Sequence, residues 1–281
     1  MLTVKAPAKL NLTLEVLGKR PDGFHEIRSV LQTIDLCDTL HFEGGQGISF
    51  QCDMPGWSVG ESLVSRAASL LQEVAGVSQG ASIKIEKRIP LMSGLGGDSS
   101  DAAAVLRGLN ELWGLGLSRE KLPGLAAQLG SDVSFFLHGG TAMVEGRGEK
   151  VTPLPSLPNM WVVLVVPDVP VKAGKTARMY QSLTAPHYTD GKITEKLVDV
   201  IKGGGEFNTS MLFNTFENIA FDDFNIRHAY VEHLIKLGAP NVHLAGSGPT
   251  LFTMLENKIL AEELLARCKN QGMKAYLAAT I

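Results

Sequence analysis

Cysteine is scarce in this chain. Cys37, Cys52 and Cys268 are its only three, an odd number with neither paired nor metal-ligand spacing. That excludes a disulfide scaffold and a cysteine zinc centre, and the three read as small core residues in a reducing compartment. Neither charge is in excess, since 26 basic against 29 acidic residues leave −3. With no basic surplus, and no cluster larger than Lys87-Arg88, a nucleic-acid partner is not expected. No apolar run approaches bilayer length; the longest, around Met160 to Val166, is far too short to cross. The opening Met1-Leu2-Thr3-Val4-Lys5-Ala6-Pro7 carries neither a charged leader nor an apolar signal. Repeats and low-complexity stretches are also missing. The expectation is a soluble, cytoplasmic protein with no membrane and no obligate protein partner.

What remains is a chain of 281 residues, 44% apolar, long enough for one large domain or two ordinary ones. Asn11 to Leu17 alternates as a strand with Leu12, Leu14 and Val16 on one face, and Pro21-Asp22-Gly23 reads as a turn. Ile27 to Leu36, Thr39 to Phe42 and Ala81 to Ile89 read as strands, and Leu63 to Val74 as a helix. Ala102, Val105, Leu106, Leu109, Leu112 and Trp113 form the core-facing stripe of a long helix ended by Gly114 and Gly116. Ser118 reads as the N-cap of a helix over 119–128, and strands follow around Gly140 to Glu145. Past Pro153-Leu154-Pro155-Ser156-Leu157-Pro158, the best boundary, Trp161 to Val166 reads as a buried strand. Helices are expected near 174–183, 192–202, 207–220 and 224–237. The tail then alternates: strands at 242–245 and 250–255, a helix at 260–268 and a strand at 275–278. This mixture argues for an α+β protein rather than a doubly wound parallel sheet. The expected domains are 1–155 and 156–281.

The chemistry gathers first at residues 89 to 105. A strand runs into Pro90-Leu91-Met92-Ser93-Gly94-Leu95-Gly96-Gly97-Asp98-Ser99-Ser100-Asp101, and then into the long helix. Glycines let the backbone approach a ligand closely, and the helix start points N–H groups and its positive dipole end into the turn, which favours phosphate. No Gly-Lys-Ser/Thr closes it, so it is not a Walker A loop, and Ser99 stands where a dinucleotide fingerprint needs its third glycine. From these residues alone, a plain helix start capped by Ser99 or Asp98 is also possible.

The segment from Pro90 resembles the phosphate loop of the GHMP kinases. Pro7-Ala8-Lys9-Leu10-Asn11-Leu12 resembles that family's first motif. Gly130-Ser131-Asp132-Val133 resembles its catalytic-aspartate motif, and Leu244-Ala245-Gly246-Ser247-Gly248-Pro249-Thr250 its third glycine-rich motif. Arg20-Pro21-Asp22-Gly23-Phe24-His25-Glu26-Ile27 narrows the resemblance to the branch whose acceptor carries a cytidine. The implied fold is an N-terminal ATP-binding domain, a C-terminal ferredoxin-like domain and a cleft between them. The implied reaction passes the γ-phosphoryl of ATP to the 2-hydroxyl of 4-diphosphocytidyl-2-C-methyl-D-erythritol. It gives the 2-phosphate and ADP, a step of non-mevalonate isoprenoid biosynthesis.

By the same resemblance Asp132 is the catalytic base and Lys9 sits beside it, while ATP is held by Lys87 and by Pro90 through Asp101. Asn11, Phe24, His25, Thr176 and Tyr180 receive the acceptor, the cytosine stacking between aromatic rings with His25 reading its edge. Taken singly, Lys9 also reads as a solvated strand end and Gly130-Ser131-Asp132 as a helix cap. ATP and Mg²⁺ are the implied cofactors, with no metal ligand assigned. Three positions depart from the family pattern. Phe24 replaces a more common tyrosine, and Ser62 stands where an asparagine is frequent near the adenine. Asp98 replaces a small residue; it is expected either to point away from the triphosphate, as a cap, or to hold Mg²⁺. Two other readings compete: a sister kinase for mevalonate, homoserine or a sugar, and a nucleotide-binding regulator without catalysis. Phe24-His25-Glu26 argues against the first, and the joint presence of Lys9 and Asp132 against the second.

Overall fold

The structure is a computed structural model and describes residues 1–118, 121–170, 174–219 and 227–281. In chain order the strands are β1 (Leu2–Lys19), β2 (His25–Gly45), β3 (Ile48–Cys52), β4 (Gly80–Glu86), β5 (Thr141–Gly146), β6 (Lys150–Pro153), β7 (Trp161–Val166), β8 (Phe213–Asn214), β9 (His243–Leu244), β10 (Leu251–Leu255) and β11 (Lys274–Ala279). The helices are α1 (Leu63–Ala75), α2 (Gly97–Leu112), α3 (Leu122–Leu129), α4 (Ser131–His138), α5 (Lys175–Ser182), α6 (Lys192–Lys202), α7 (Arg227–Lys236) and α8 (Lys258–Asn270).

The chain forms two compact units that interleave along the sequence, and β1 and β2 contribute residues to both. One unit comprises Met1–Ala8, Leu36–Leu91 and Gly96–Gly139. In it β4 pairs antiparallel with Thr39–Gly45 of β2 and parallel with β3. Helices α1, α2, α3 and α4 pack against one another, and Phe42, Ile83, Leu71, Leu106, Phe135 and Phe136 are buried. Helix α1 starts on Ser62, whose side chain accepts from Val64 N, and stops at Gly76, left-handed at φ 64°. That pairing of an oxygen cap with a terminal glycine satisfies the orphan groups at both ends.

The other unit comprises Lys9–Asp35, Met92–Leu95 and Gly140–Ile281. There β5 pairs antiparallel with Ile27–Gln32 of β2 and with β6, and Thr13 and Leu14 of β1 pair parallel with β8. Its second sheet runs β11-β7-β10-β9, all antiparallel. With α7 before β9 and α8 between β10 and β11, this is the ferredoxin-like order of strand, helix, two strands, helix and strand. The α+β reading holds.

Several local expectations are corrected. Leu10 to Val16 is buried on both faces, so the alternation in β1 does not mark a solvent side; Glu15 is buried and accepts from Thr194 N at 2.7 Å. The two strands expected between 27 and 42 are one, β2. Residues 207–220 do not form the expected helix but 3-10 turns at Thr209–Met211 and Thr215–Asn218 around β8. Asn208 and Asn214 cause this, since their side chains accept from Ser210 N and Phe216 N and divert the backbone from helical bonding. Ser118 is not an N-cap: α3 begins at Leu122 after Lys121, and residues 119 and 120 of the expected helix lie outside the described residues. The start of the helix expected at 224 does so too, and so does residue 220 of the one before it. Of the three cysteines only Cys268 is buried; Cys37 and Cys52 are half-buried.

Candidate active site

Within the unit that holds Lys9, three segments meet at the first part of the glycine loop. Lys9 N donates to Leu95 O at 2.9 Å, and Thr250 N donates to Ser93 O at 3.3 Å. Gly94 has φ +85°, and a Cβ there would lie 2.2 Å from Ala245 O and 2.9 Å from Gly248 O. Only glycine tolerates both the left-handed backbone and that approach. A Cβ on Gly246 would likewise lie 3.0 Å from Gly94 O and 3.4 Å from both Lys9 Nζ and Asn11 Oδ1. The third glycine-rich motif is thus packed onto the first part of the glycine loop and onto the Lys9–Asn11 pair. Asn214, unnoticed in the sequence, pins that motif by donating to Leu244 O and Gly246 O, each at 2.8 Å.

Lys9 is buried, not a solvated strand end. Its Nζ donates to Asn11 Oδ1 at 2.7 Å, and Asn11 Nδ2 donates to Ser29 Oγ at 2.9 Å. Ser29 in turn donates to the Thr13 carbonyl. The chain Lys9–Asn11–Ser29 orients the ammonium through a strand pair; only its first two members were legible, because two residues apart on a strand share a face.

The acceptor candidates lie in the same unit. His25 stacks on Tyr180, with ring centroids 5.1 Å apart and 27° between planes, and Tyr180 meets Phe216 edge-on at 4.9 Å. The Tyr188 hydroxyl stands 3.5 Å from His25 Nε2. Burial, with the charge of Lys19, holds His25 below its ordinary value, so at pH 7 the ring is neutral, one nitrogen donating and the other accepting. Phe24 is exposed, with the Arg147 guanidinium 4.8 Å from its ring centroid. Thr176, exposed on the first turn of α5, is 2.8 Å from Ser247 Oγ. Its neighbour Lys175, which sequence reading passed over, is buried, and its Nζ donates to the Gly248 carbonyl.

In the other unit lies the second part of the loop. Gly96, at φ 75°, is the N-cap of α2, with no side-chain cap. Neither Ser99 nor Asp98 therefore caps this helix, and its first-turn N–H groups are left to a ligand or solvent. Asp98 faces α1 instead: its carboxylate accepts from Ser62 Oγ and from Leu63 N at 3.1 Å. Ser62 is thereby a helix cap tied to the loop rather than an open contact.

Lys87 and Asp101 are brought together, but with side chains only 2% and 0% exposed. Lys87 Nζ is 2.6 Å from Asp101 Oδ2 and 2.5 Å from Asp38 Oδ2. The other oxygen of Asp38 accepts from Arg88 N and from Ile89 N, the latter at 2.8 Å. Burial pulls Lys87 down, but Asp101 and Asp38 outweigh it and hold the ammonium above its ordinary value. Burial, reinforced by Asp38 and Asp98, pushes Asp101 up to about 8 against the pull of Lys87. One cation between two carboxylates retains an extra proton. The triad faces inward and anchors the strand end that leads to Pro90. Asp38 was missed, although a carboxylate inside the run Ile34 to Leu40 is the kind of signal that marks a buried partner. Asp132, read as part of a turn, lies half-buried in the first turn of α4.

Known proteins match this chain along its whole length. A family profile described as the GHMP kinases N terminal domain matches residues 62–140. A 4-diphosphocytidyl-2-C-methyl-D-erythritol kinase of Dehalococcoides mccartyi is 50% identical over 281 residues, covering 100% of this chain and 99% of that protein. One from Bacillus cereus is 42% identical, covering 91% of this chain and 89% of its own. A crystal structure of 4-(cytidine 5'-diphospho)-2C-methyl-D-erythritol kinase superposes with a TM-score of 0.83 at 32% identity, covering 99% of both chains. A mevalonate kinase, at 14% identity and a TM-score of 0.70 over 100% of this chain and 99% of its own, shares the fold alone. The chain belongs to the family of 4-diphosphocytidyl-2-C-methyl-D-erythritol kinases, within the GHMP kinases.

Proposed function

We infer that this protein transfers the γ-phosphoryl group of ATP to the 2-hydroxyl of 4-diphosphocytidyl-2-C-methyl-D-erythritol. The observation that carries the reading is the packing of Gly94 against Ala245–Gly248 beside Lys9 and Asn11, in the same unit as the His25–Tyr180 stack. A close-approach glycine loop and a buried lysine suit a transferring phosphate. A neutral histidine among aromatic rings suits a nucleobase.

Phosphoryl transfer asks mainly for positioning and charge neutralisation. The acceptor oxygen bonds to the γ-phosphorus, the bond to the β,γ-bridging oxygen breaks, and ADP leaves with that electron pair. In our reading Asp132 takes the hydroxyl proton, and Lys9, held by Asn11, steers the phosphoryl oxygens. The loop N–H groups and the uncapped start of α2 hold the nucleotide phosphates. His25 and Tyr180 take the cytosine, and Asn11 and Thr176 lie within the acceptor's reach. Lys87 and Asp101 act by anchoring the loop rather than by touching the base.

Magnesium belongs to this chemistry as the partner of the triphosphate. Among the described residues no three of His, Cys, Asp and Glu gather as a metal seat, and Asp98 is turned to α1. The ion would arrive on the phosphates and contribute charge neutralisation there. No helix among the described residues is long and apolar enough to cross a membrane. The three free thiols fit a cytoplasmic enzyme.

The test is ADP release by the purified protein with Mg-ATP and the cytidyl acceptor, beside mevalonate, homoserine and galactose. Turnover confined to the cytidyl acceptor is expected. Turnover on another acceptor would discard the cytidine pocket, and ATP binding without turnover would point to a regulator.

A further inference from the structure

Strand β1 carries a row of buried polar side chains. Lys9, Asn11, Thr13 and Glu15 stand at alternate positions, so they share one face, and all four are buried, Thr13 and Glu15 completely. Leu10, Leu12, Leu14 and Val16 make the other face apolar. Burying four polar side chains in a row costs desolvation at each, and Glu15 Oε1 has no hydrogen-bond partner among the described residues. Packing alone does not account for such a face.

Its hydrogen bonds run one way. Lys9 Nζ donates to Asn11 Oδ1 at 2.7 Å, Asn11 Nδ2 to Ser29 Oγ at 2.9 Å, and Ser29 Oγ to the Thr13 carbonyl. An ammonium only donates and a carbonyl only accepts, so every link between them has one direction and Asn11 must keep Oδ1 toward Lys9. The far end of this relay is held from α6, in the same unit. Thr194, fully buried in the first turn of α6, donates from Oγ1 to Thr13 Oγ1 at 3.0 Å. The same hydroxyl lies 3.3 Å from the carbonyl of Arg28, the residue before Ser29. Thr194 N donates to Glu15 Oε2 at 2.7 Å. Helix α6 has no side-chain cap of its own after left-handed Gly191, and the Glu15 carboxylate supplies one from β1. That cap needs only the Thr194 N–H. The hydroxyl serves the relay, and a valine would fill the same volume.

We propose that Thr194 is a positioning residue for phosphoryl transfer. Its hydroxyl fixes Thr13 and the Arg28 carbonyl, and through Ser29 and Asn11 it fixes the direction of the Lys9 ammonium. This rests on the kinase reading above, with Lys9 at the transferring group. In this role Thr194 touches neither substrate and exchanges no proton. A loosely aimed lysine still attracts phosphate but loses its alignment with the phosphoryl oxygens, and misplacement by about 1 Å can cost about 100-fold.

The test is steady-state ADP release with the cytidyl acceptor by wild type, T194V and T194S, with thermal unfolding alongside. Valine keeps the shape of threonine and loses the hydroxyl; serine keeps the hydroxyl and loses a methyl. T194V is expected to lower kcat about 10-fold with KM for ATP within about twofold, and T194S to keep kcat within about twofold even where it unfolds earlier. The reverse order, with T194V at full turnover and T194S the weaker enzyme, would make Thr194 a packing residue and overturn the proposal. In an N11A background T194V should lower kcat no further, because the relay is already cut. An undiminished loss there would place the effect outside the relay and overturn it as well. If T194V does not fold, T194A takes its place, with T194S as its rescue. A wild type active only on another acceptor overturns the cytidyl assignment alone, and the variants are then compared on that acceptor. A wild type inactive on every acceptor overturns the kinase reading and this inference with it.

Discussion

Asp38 and Asp101 show how two carboxylates on one lysine come to differ. Asp38 uses both oxygens, one on Lys87 and the other on two backbone N–H groups. Asp101 leaves Oδ1 buried without a partner and is pushed up to about 8. A neutral amide replaces the protonated acid nearly isosterically, and Asp101→Asn is expected to change stability by less than about 1 kcal/mol at pH 7. Asp38→Ala orphans two N–H groups at the loop entrance and should cost about 3 kcal/mol in urea unfolding. The pH dependence separates them further. The folded-state value of Asp101 lies above its ordinary 3.8, so its contribution is complete below about pH 4 and is lost as pH rises through about 8. Stability of the wild type should fall across that window relative to Asp101→Asn. Parallel curves for the two proteins would mean that Asp101 is ionised throughout.

At the scale of elements, what was legible followed physical regularity. The glycine loop, α1, α2 and the tail from β10 onward carry period or punctuation strong enough to be read, and their ranges agree within a few residues. The stretch 207–220 failed because two asparagines form local side-chain turns that outcompete an apolar spacing of helical type. The partners Ser29, Asn214 and Lys175 were illegible because each acts on a residue distant in sequence, and no local pattern records such a pairing; for Asp38 the apolar run around it signalled burial, but not which partner it holds. Asp98 was half-read. As a cap in the sense of dipole and N–H groups the expectation was sound, but the helix it serves is α1, through Ser62 and Leu63, not the helix it belongs to. Asp98→Ala should therefore lower stability by about 1 kcal/mol, as loss of a cap does, and leave the Mg²⁺ dependence of ADP release unchanged. A shifted Mg²⁺ optimum would make the carboxylate a metal ligand after all.

On the scale of the molecule, the division into two interleaved units sorts the chemistry. One carries the uncapped start of α2, the buried triad and Asp132; the other carries Lys9, the third glycine-rich motif and the His25–Tyr180 stack. Lys9 shares a unit with the stack, but in the proposed reading the cytidyl head and the phosphoryl group draw on different residues, so their kinetic signatures should separate. His25→Ala removes a neutral ring that stacks and offers one donor and one acceptor. It should raise KM for the cytidyl acceptor about 10- to 100-fold while KM for ATP stays within about twofold. Asp132→Ala keeps the helix start, since α4 has no side-chain cap to lose, and should bind both substrates normally while kcat falls at least about 100-fold. Equal rises in both KM values for His25→Ala would remove its base-reading role. Near-full turnover in Asp132→Ala would leave alignment and charge, from the loop and its lysines, as the whole of the catalysis.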